Sequence, residues 1–259
     1  MVITGTISSG KKKIRFKMIL LLGGTTEAKQ VAGYLDEAGL DYIYSTRTEV
    51  VFEGKGQYRS GSLDKDGLQK FCSLHSISVI INACHPFAKE LHATVAALAD
   101  QVQVIRFERE FSKRTDHPLV HYVSGYTQAL EQIEKNGYQS MLALSGVQSI
   151  PLLRFFWETH TCWFRILNRE YSTDLASRYQ FPPEYLLFGL PQEKEEEIEL
   201  FSRLKPEVIL TKESGLNGKL DAKTEAAIAC NIPIFILKRP ELSFKTVHEL
   251  KELSMLIHE

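Results

Sequence analysis

From Met18 onward, short apolar runs alternate with stretches of helical periodicity, and this alternation restricts the possible folds more than any other feature. Met18 to Leu22 is continuously apolar and ends at Gly23-Gly24. Helical spacing follows from Thr26 to Ala38, with Val31, Tyr34, Leu35 and Ala38 on one face and Gly39 in the closing position. Leu40 to Tyr44 then reads as a strand, Leu63 to His75 as a helix, and Ser78 to Ile81 as a strand. Pro86 to Ala99 reads as a helix whose proline sits in the first turn, and Val102 to Phe107 as a strand. Strands separated by helices at this spacing make a parallel sheet with right-handed crossovers.

The register is irregular from Glu108 to Val123, which reads as a linker, and a second cycle follows. Its predicted helices are Tyr126–Lys135, Val147–Glu158, Glu193–Leu204, Ala222–Cys230 and Thr246–Ile257. Its predicted strands are Ser140–Leu144, Cys162–Leu167, Glu207–Thr211 and Pro233–Leu237. The expectation is an α/β protein of two Rossmann-like domains, each a parallel sheet flanked by helices, with a ligand cleft between them. Residues 18–118 form the dinucleotide-binding half and 119–259 the substrate-binding half. Residues 1–17, rich in Lys and Arg, read as a flexible tail, an upstream start or an extra edge strand.

A length of 259 residues suffices for two cores, and the formal charge of −1 provides no global field toward nucleic acid or membrane. The four cysteines, Cys72, Cys84, Cys162 and Cys230, form no C-x-x-C pair, as expected of a reduced, cytoplasmic protein. No apolar run approaches the roughly 20 residues of a membrane span. The histidines show no metal-binding spacing, and no metal is expected. His92, among Leu91, Val95 and Leu98, reads as a packing residue.

Five strand ends are candidates for chemistry, because ligands of parallel α/β sheets bind at the carboxyl ends of the strands. Gly23-Gly24-Thr25-Thr26 precedes a helix N-terminus, which offers free N–H groups to a phosphate. It is not a G-x-G-x-x-G fingerprint, and Glu27 beside it reads as a first-turn residue favoured by the dipole. After the second strand, Ser45-Thr46-Arg47 stands where an acidic residue would bind a ribose 2′-hydroxyl. This tilts the choice toward NADPH over NADH, although Arg47 also reads as an ordinary surface arginine. The third end, Asn82-Ala83-Cys84-His85-Pro86-Phe87-Ala88, leads from a buried strand into His85. In the second half, Thr211-Lys212-Glu213-Ser214-Gly215, with Gly218 and Lys223 following, suits an anion or carboxylate, and Ser145-Gly146 ends another strand. Each of these also reads as a plain strand-to-helix turn. Tyr-x-x-x-Lys, G-x-S-x-G and the P-loop pattern are all missing.

Together these segments resemble the precorrin-6A reductase family of cobalamin biosynthesis, including its cobalt-precorrin-6A branch, from Met18 to about Pro240. The resemblance rests on Leu21-Leu22-Gly23-Gly24-Thr25-Thr26-Glu27, Asn82 to Ala88, Thr211 to Gly215 with Gly218 and Lys223, and Arg239-Pro240. Asn82 replaces the family's Asp, Cys84 replaces its Thr, and Ser45 to Val51 departs from its glycine-containing loop. The resemblance implies nicotinamide-dependent reduction of one carbon–carbon double bond in a corrinoid macrocycle, and the expected state is a monomer that hands intermediates to other pathway enzymes. Gly23, Gly24, Thr25, Thr26, Ser45, Thr46, Arg47, Asn82 and Cys84 would face the cofactor. His85, Phe87, Ser145, Lys212, Ser214, Gly215, Lys223 and Arg239 would face the substrate, with His85 as candidate proton donor beside a solvent-derived proton. Two other readings are a non-catalytic binder of dinucleotide or anion and a reductase of another substrate.

Overall fold

The structure is a computed structural model that describes residues 18–109, 111, 113–214 and 218–258. The expectations for residues 1–17 and for Gly215 lie outside the described residues. In chain order the first elements are β1 (Met18–Leu22), α1 (Thr26–Glu37), β2 (Tyr42–Thr46), β3 (Gln57–Ser60), α2 (Lys65–Leu74), β4 (Ile77–Asn82), α3 (Lys89–Ala96) and β5 (Gln103–Phe107). Then come β6 (Val120–Val123), α4 (Tyr126–Lys135), β7 (Ser140–Leu144), α5 (Arg154–Trp157), β8 (Thr161–Ile166), α6 (Glu170–Arg178), β9 (Leu186–Phe188) and α7 (Lys194–Leu204). The chain ends with β10 (Val208–Lys212), α8 (Leu220–Ala229), β11 (Ile234–Leu237), β12 (Lys245–Val247) and α9 (Leu250–His258).

Among the described residues the strands form two parallel six-stranded sheets, ordered β12-β5-β4-β1-β2-β3 and β6-β11-β10-β7-β8-β9. The first is the 3-2-1-4-5-6 order of a dinucleotide-binding sheet, with its switch point between β1 and β4. The second repeats that order with β7 as first strand and its switch point between β7 and β10. In each sheet the sixth position is filled by an exchanged strand. β6 follows β5 in the chain but pairs with β11, and β12 follows β11 but pairs with β5.

This exchange corrects the expected division at residue 118. One compact unit runs to Arg109 and resumes at Leu242, and the other spans Glu110–Glu241. The segment 242–259 was expected in the second half. Lys245–Val247 instead pairs in register with Ile105–Phe107, and Leu253 and Ile257 of α9 pack in the first unit's core with Ile19, Leu21 and Val31. A short strand is free to join whichever sheet offers an open edge, and local pattern does not specify which.

Several boundaries also move. β2 extends to Thr46, so Ser45 and Thr46 are buried strand residues rather than a loop. β3, β6, β9, β12 and α6 are further elements that the periodicity missed. Most of these strands are three or four residues long. The expected helix from Val147 is two 3₁₀ turns followed by the single turn α5. Pro86 does not open a helix, because α3 starts only at Lys89.

Candidate functional site

The β1–α1 turn is shaped by one tyrosine. A Cβ on Gly23 would lie 2.5 Å from the Tyr44 ring, so only glycine fits there. Gly24 N–H donates to the Tyr44 hydroxyl at 3.1 Å, and Gly24 adopts φ +100°, a region where side chains are strained. Thr25 caps α1 by accepting from Ala28 N–H at 3.1 Å, and its own hydroxyl donates to the Ala83 carbonyl at 2.6 Å. That bond ties the turn to the end of β4 across the switch point. The Thr25 hydroxyl, expected on a phosphate, is thus committed to the protein. Gly24 and Thr26 remain exposed at the mouth of the turn, where first-turn amides lack intrahelical acceptors. Glu27 pairs with Arg109, which gives it a partner beyond the helix dipole.

At the end of β4, Asn82 and Cys84 are buried, Asn82 completely. Arg106 Nη1 donates to Asn82 Oδ1 at 3.1 Å and to its carbonyl at 3.0 Å. This leaves the Asn82 amide N–H to donate to His92 Nδ1 at 3.0 Å. The His92 proton is then on Nε2, which lies 3.1 Å from the His85 carbonyl and 3.2 Å from that of Pro86. Those carbonyls turn toward the buried ring, and this delays the start of α3. Burial, then the Arg106 charge, lowers the His92 pKa and keeps the ring neutral, although the two carbonyls oppose this.

Arg106 itself is 1 % exposed and is balanced by Glu108 Oε2 at 3.0 Å. Cys84 donates from Sγ to the Gly23 carbonyl at 3.4 Å, and burial pushes its thiol up to about 12. Asn82 and Cys84, expected to face the cofactor, therefore brace the two turns from beneath. His85 is exposed, and its Nδ1 accepts from Phe87 N–H at 3.2 Å. Phe87 is half-buried with its ring 5.9 Å from that of His85. Arg106 was missed, whereas His92 is the satisfied packing residue it was read as, buried and hydrogen-bonded at both ring nitrogens. The available signal was an arginine inside an apolar strand, since a buried charge needs a partner.

In the second unit, Glu213 follows β10 and accepts from Arg114 Nε at 2.9 Å, Arg114 Nη2 at 3.1 Å and Arg239 N–H at 2.9 Å. Burial alone would raise the Glu213 pKa, but these bonds and charges outweigh it and hold the carboxyl below its ordinary value. The Arg239 guanidinium lies 3.6 Å from the centre of the Phe111 ring. Arg239 Nη1 and Ser214 Oγ are buried without a hydrogen-bond partner among the described residues. Such groups are costly unless something binds them. Lys113, Arg114, Glu213, Ser214 and Lys219 line one recess, and Lys212 beside it is half-buried.

Two expected substrate contacts turn inward. Lys223 is 4 % exposed and donates from Nζ to the Gly218 carbonyl at 2.7 Å, near the buried Arg165–Glu197 pair. Burial, then repulsion from Arg165, lowers its pKa to about 8, with Glu197 opposing. The buried Ser145 hydroxyl shares a 2.7 Å bond with that of Ser149, which donates to the Gly146 carbonyl, so this pair braces the turn after β7. Among the described residues no group of three His, Cys, Asp or Glu could hold a metal ion.

Residues 18–258 match the family model described as Precorrin-6x reductase CbiJ/CobK. The chain belongs to the precorrin-6x reductase family. Within this reductase family it is 28 % identical to the cobalt-precorrin-6A reductase of Priestia megaterium, over 91 % of this chain and 95 % of that one. It is 30 % identical to the precorrin-6A reductase of Rhodococcus erythropolis, over 86 % of this chain and 90 % of the relative. The solved CobK precorrin-6A reductase shares the fold at a TM-score of 0.73 and 22 % identity, covering 93 % of this chain and 96 % of that one.

Proposed function

We propose that this chain reduces one carbon–carbon double bond of precorrin-6A or its cobalt form, with NADPH as the nicotinamide cofactor. Membership of the reductase family supports the reaction class. The observation that carries the cofactor half is the Gly23-Gly24 turn at the β1/β4 switch point, closed over Tyr44 so that no side chain intrudes. The residues present fit a dinucleotide there. Gly24 would leave room for the pyrophosphate, Thr26 and the α1 N-terminus would hold it, and the ends of β2 and β3 would hold the adenosine. When bound, the reduced nicotinamide supplies a hydride.

The remaining work falls to this chain's own groups. Because His85 Nδ1 accepts from Phe87 N–H, the neutral ring carries its proton on Nε2. His85 is the candidate donor of the proton that the substrate carbon takes up, with solvent as the other source. Lys212, Ser214 and Arg239 would take carboxylates of the macrocycle, supported by the two buried polar atoms that lack partners. Holding two large rings in register is chiefly a matter of orientation.

Among the described residues no helix is long and apolar enough to cross a membrane. The reading is of a monomeric cytoplasmic enzyme. The deciding experiment mixes the protein with precorrin-6A or cobalt-precorrin-6A and either NADPH or NADH, then follows loss of the reduced-nicotinamide absorbance. Oxidation with one substrate form, faster with NADPH, is expected. No oxidation in any combination refutes the reading.

A further inference from the structure

Two of the four described arginines of the first unit meet protein carboxylates. Arg106 pairs with Glu108 and Arg109 with Glu27. Arg59, at the carboxyl end of β3, is half-buried and among the described residues has neutral partners only. Its Nη1 donates to Ser45 Oγ at 2.7 Å, and Nη2 donates to the carbonyls of Ser60 at 3.0 Å and Gly61 at 2.9 Å. Its guanidinium sits over the Phe71 ring at 5.3 Å. The group is therefore held in one place with its charge uncompensated, in a setting where half-buried cations usually find an anion.

Its position decides what that anion is. Leu22, Ser45 and Arg59 occupy one row across β1, β2 and β3. Gly23 follows Leu22 directly, so the glycine turn and Arg59 stand about two strand spacings apart, roughly 10 Å. A dinucleotide whose pyrophosphate lies on the α1 N-terminus brings its adenosine ribose to the end of β2. We infer that Arg59, rather than Arg47, is the residue that reads the 2′-phosphate of NADPH. Arg47 is exposed on the loop after β2, where the backbone is shaped by Tyr58 and not by Arg47 itself. Any phosphate that it bound would have to order a long, free side chain, whereas the Arg59 fork is ordered beforehand. The inference rests on the NADPH reading given above.

The test is equilibrium titration of the purified protein with NADP⁺, NAD⁺ and adenosine 2′-phosphate, followed by calorimetry. Wild type should bind NADP⁺ tighter than NAD⁺. Arg59→Ala should weaken NADP⁺ and adenosine 2′-phosphate by roughly tenfold to a hundredfold, the size of a charge-assisted contact. Its NAD⁺ affinity should be unchanged, and Arg47→Ala should keep the wild-type ratio. Arg59→Gln keeps a donor for Ser45 while removing the charge, and it reads the same ratio if the alanine variant fails to fold. Equal loss of both cofactors, or an unchanged ratio in the Arg59 variants, overturns the assignment. Equal wild-type affinities for NADP⁺ and NAD⁺ would instead refute the NADPH reading, and the assignment with it.

Discussion

Replacing Gly23 by alanine should cost far more than one methyl group suggests. The new Cβ would meet Tyr44 at 2.5 Å from Cζ and 2.7 Å from the hydroxyl oxygen. The ring has little room to retreat, since Tyr44 is 2 % exposed and stacked on Phe52 with centroids 4.4 Å apart and planes 8° from parallel. Moving it breaks the bond from Gly24 N–H to its hydroxyl. Overpacking of a tight core costs about 1–3 kcal/mol, and the lost hydrogen bond about 0.5–1.5 kcal/mol. The sum is a destabilisation of about 2–4 kcal/mol, read as a lowered urea midpoint at unchanged slope. Tyr44→Leu removes the obstructing ring, so Gly23→Ala should cost much less in that background, with a coupling above about 1 kcal/mol. A Gly23→Ala loss below about 0.5 kcal/mol, or additive behaviour of the pair, would refute the close approach as the reason for the glycine.

Three further outcomes follow from the buried groups and the exposed histidine. Lys223 is held near a pKa of about 8 against an ordinary 10.5, so the unfolded chain binds its proton more tightly and the charge costs stability at neutral pH. Lys223→Met should raise stability at pH 7 by up to about 3 kcal/mol, and by less as pH climbs toward 10.5, where the charge is lost in both states. A clearly destabilised variant would mean that the bond to Gly218 outweighs burial. His92 also has a depressed pKa, so its contribution is present above about 6.5 and is lost as pH falls toward the lower folded value. His92→Gln should flatten the acid limb of stability between those values, and an unchanged limb would remove His92 from that role. His85→Ala should lower turnover more than tenfold, since general acid catalysis contributes about 10²–10⁴-fold, while leaving the melting temperature unchanged. Near-normal turnover would leave the proton to solvent.

The sequence by itself determined much of the local architecture and which strand ends carry polar groups. Continuous apolar runs such as Met18–Leu22 and Val79–Ile81 have no polar face to expose, so they became interior strands, and the turns after them carry Gly23-Gly24 and His85. Long-range pairing and the direction of side chains were decided only by the tertiary structure. Lys245–Val247 is too short to specify its neighbour, and it joined the sheet whose edge at β5 was open. Asn82, Cys84 and Ser145 were legible as polar groups at strand ends, and Lys223 as one at the entry to a helix. Whether such a group faces a ligand or the interior depends on its partners in space, which for Asn82 and Cys84 are the distant Arg106, His92 and Gly23, and for Ser145 and Lys223 the nearby Ser149 and the loop carbonyl of Gly218. Arg59 shows the converse. It lies in a short half-exposed strand with no motif around it, and acquires significance only because parallel pairing sets it beside Ser45 in the row that ends at the glycine turn. Backbone periodicity is a property of neighbours in the chain, whereas the compensation of a buried charge or hydrogen bond is a property of neighbours in space.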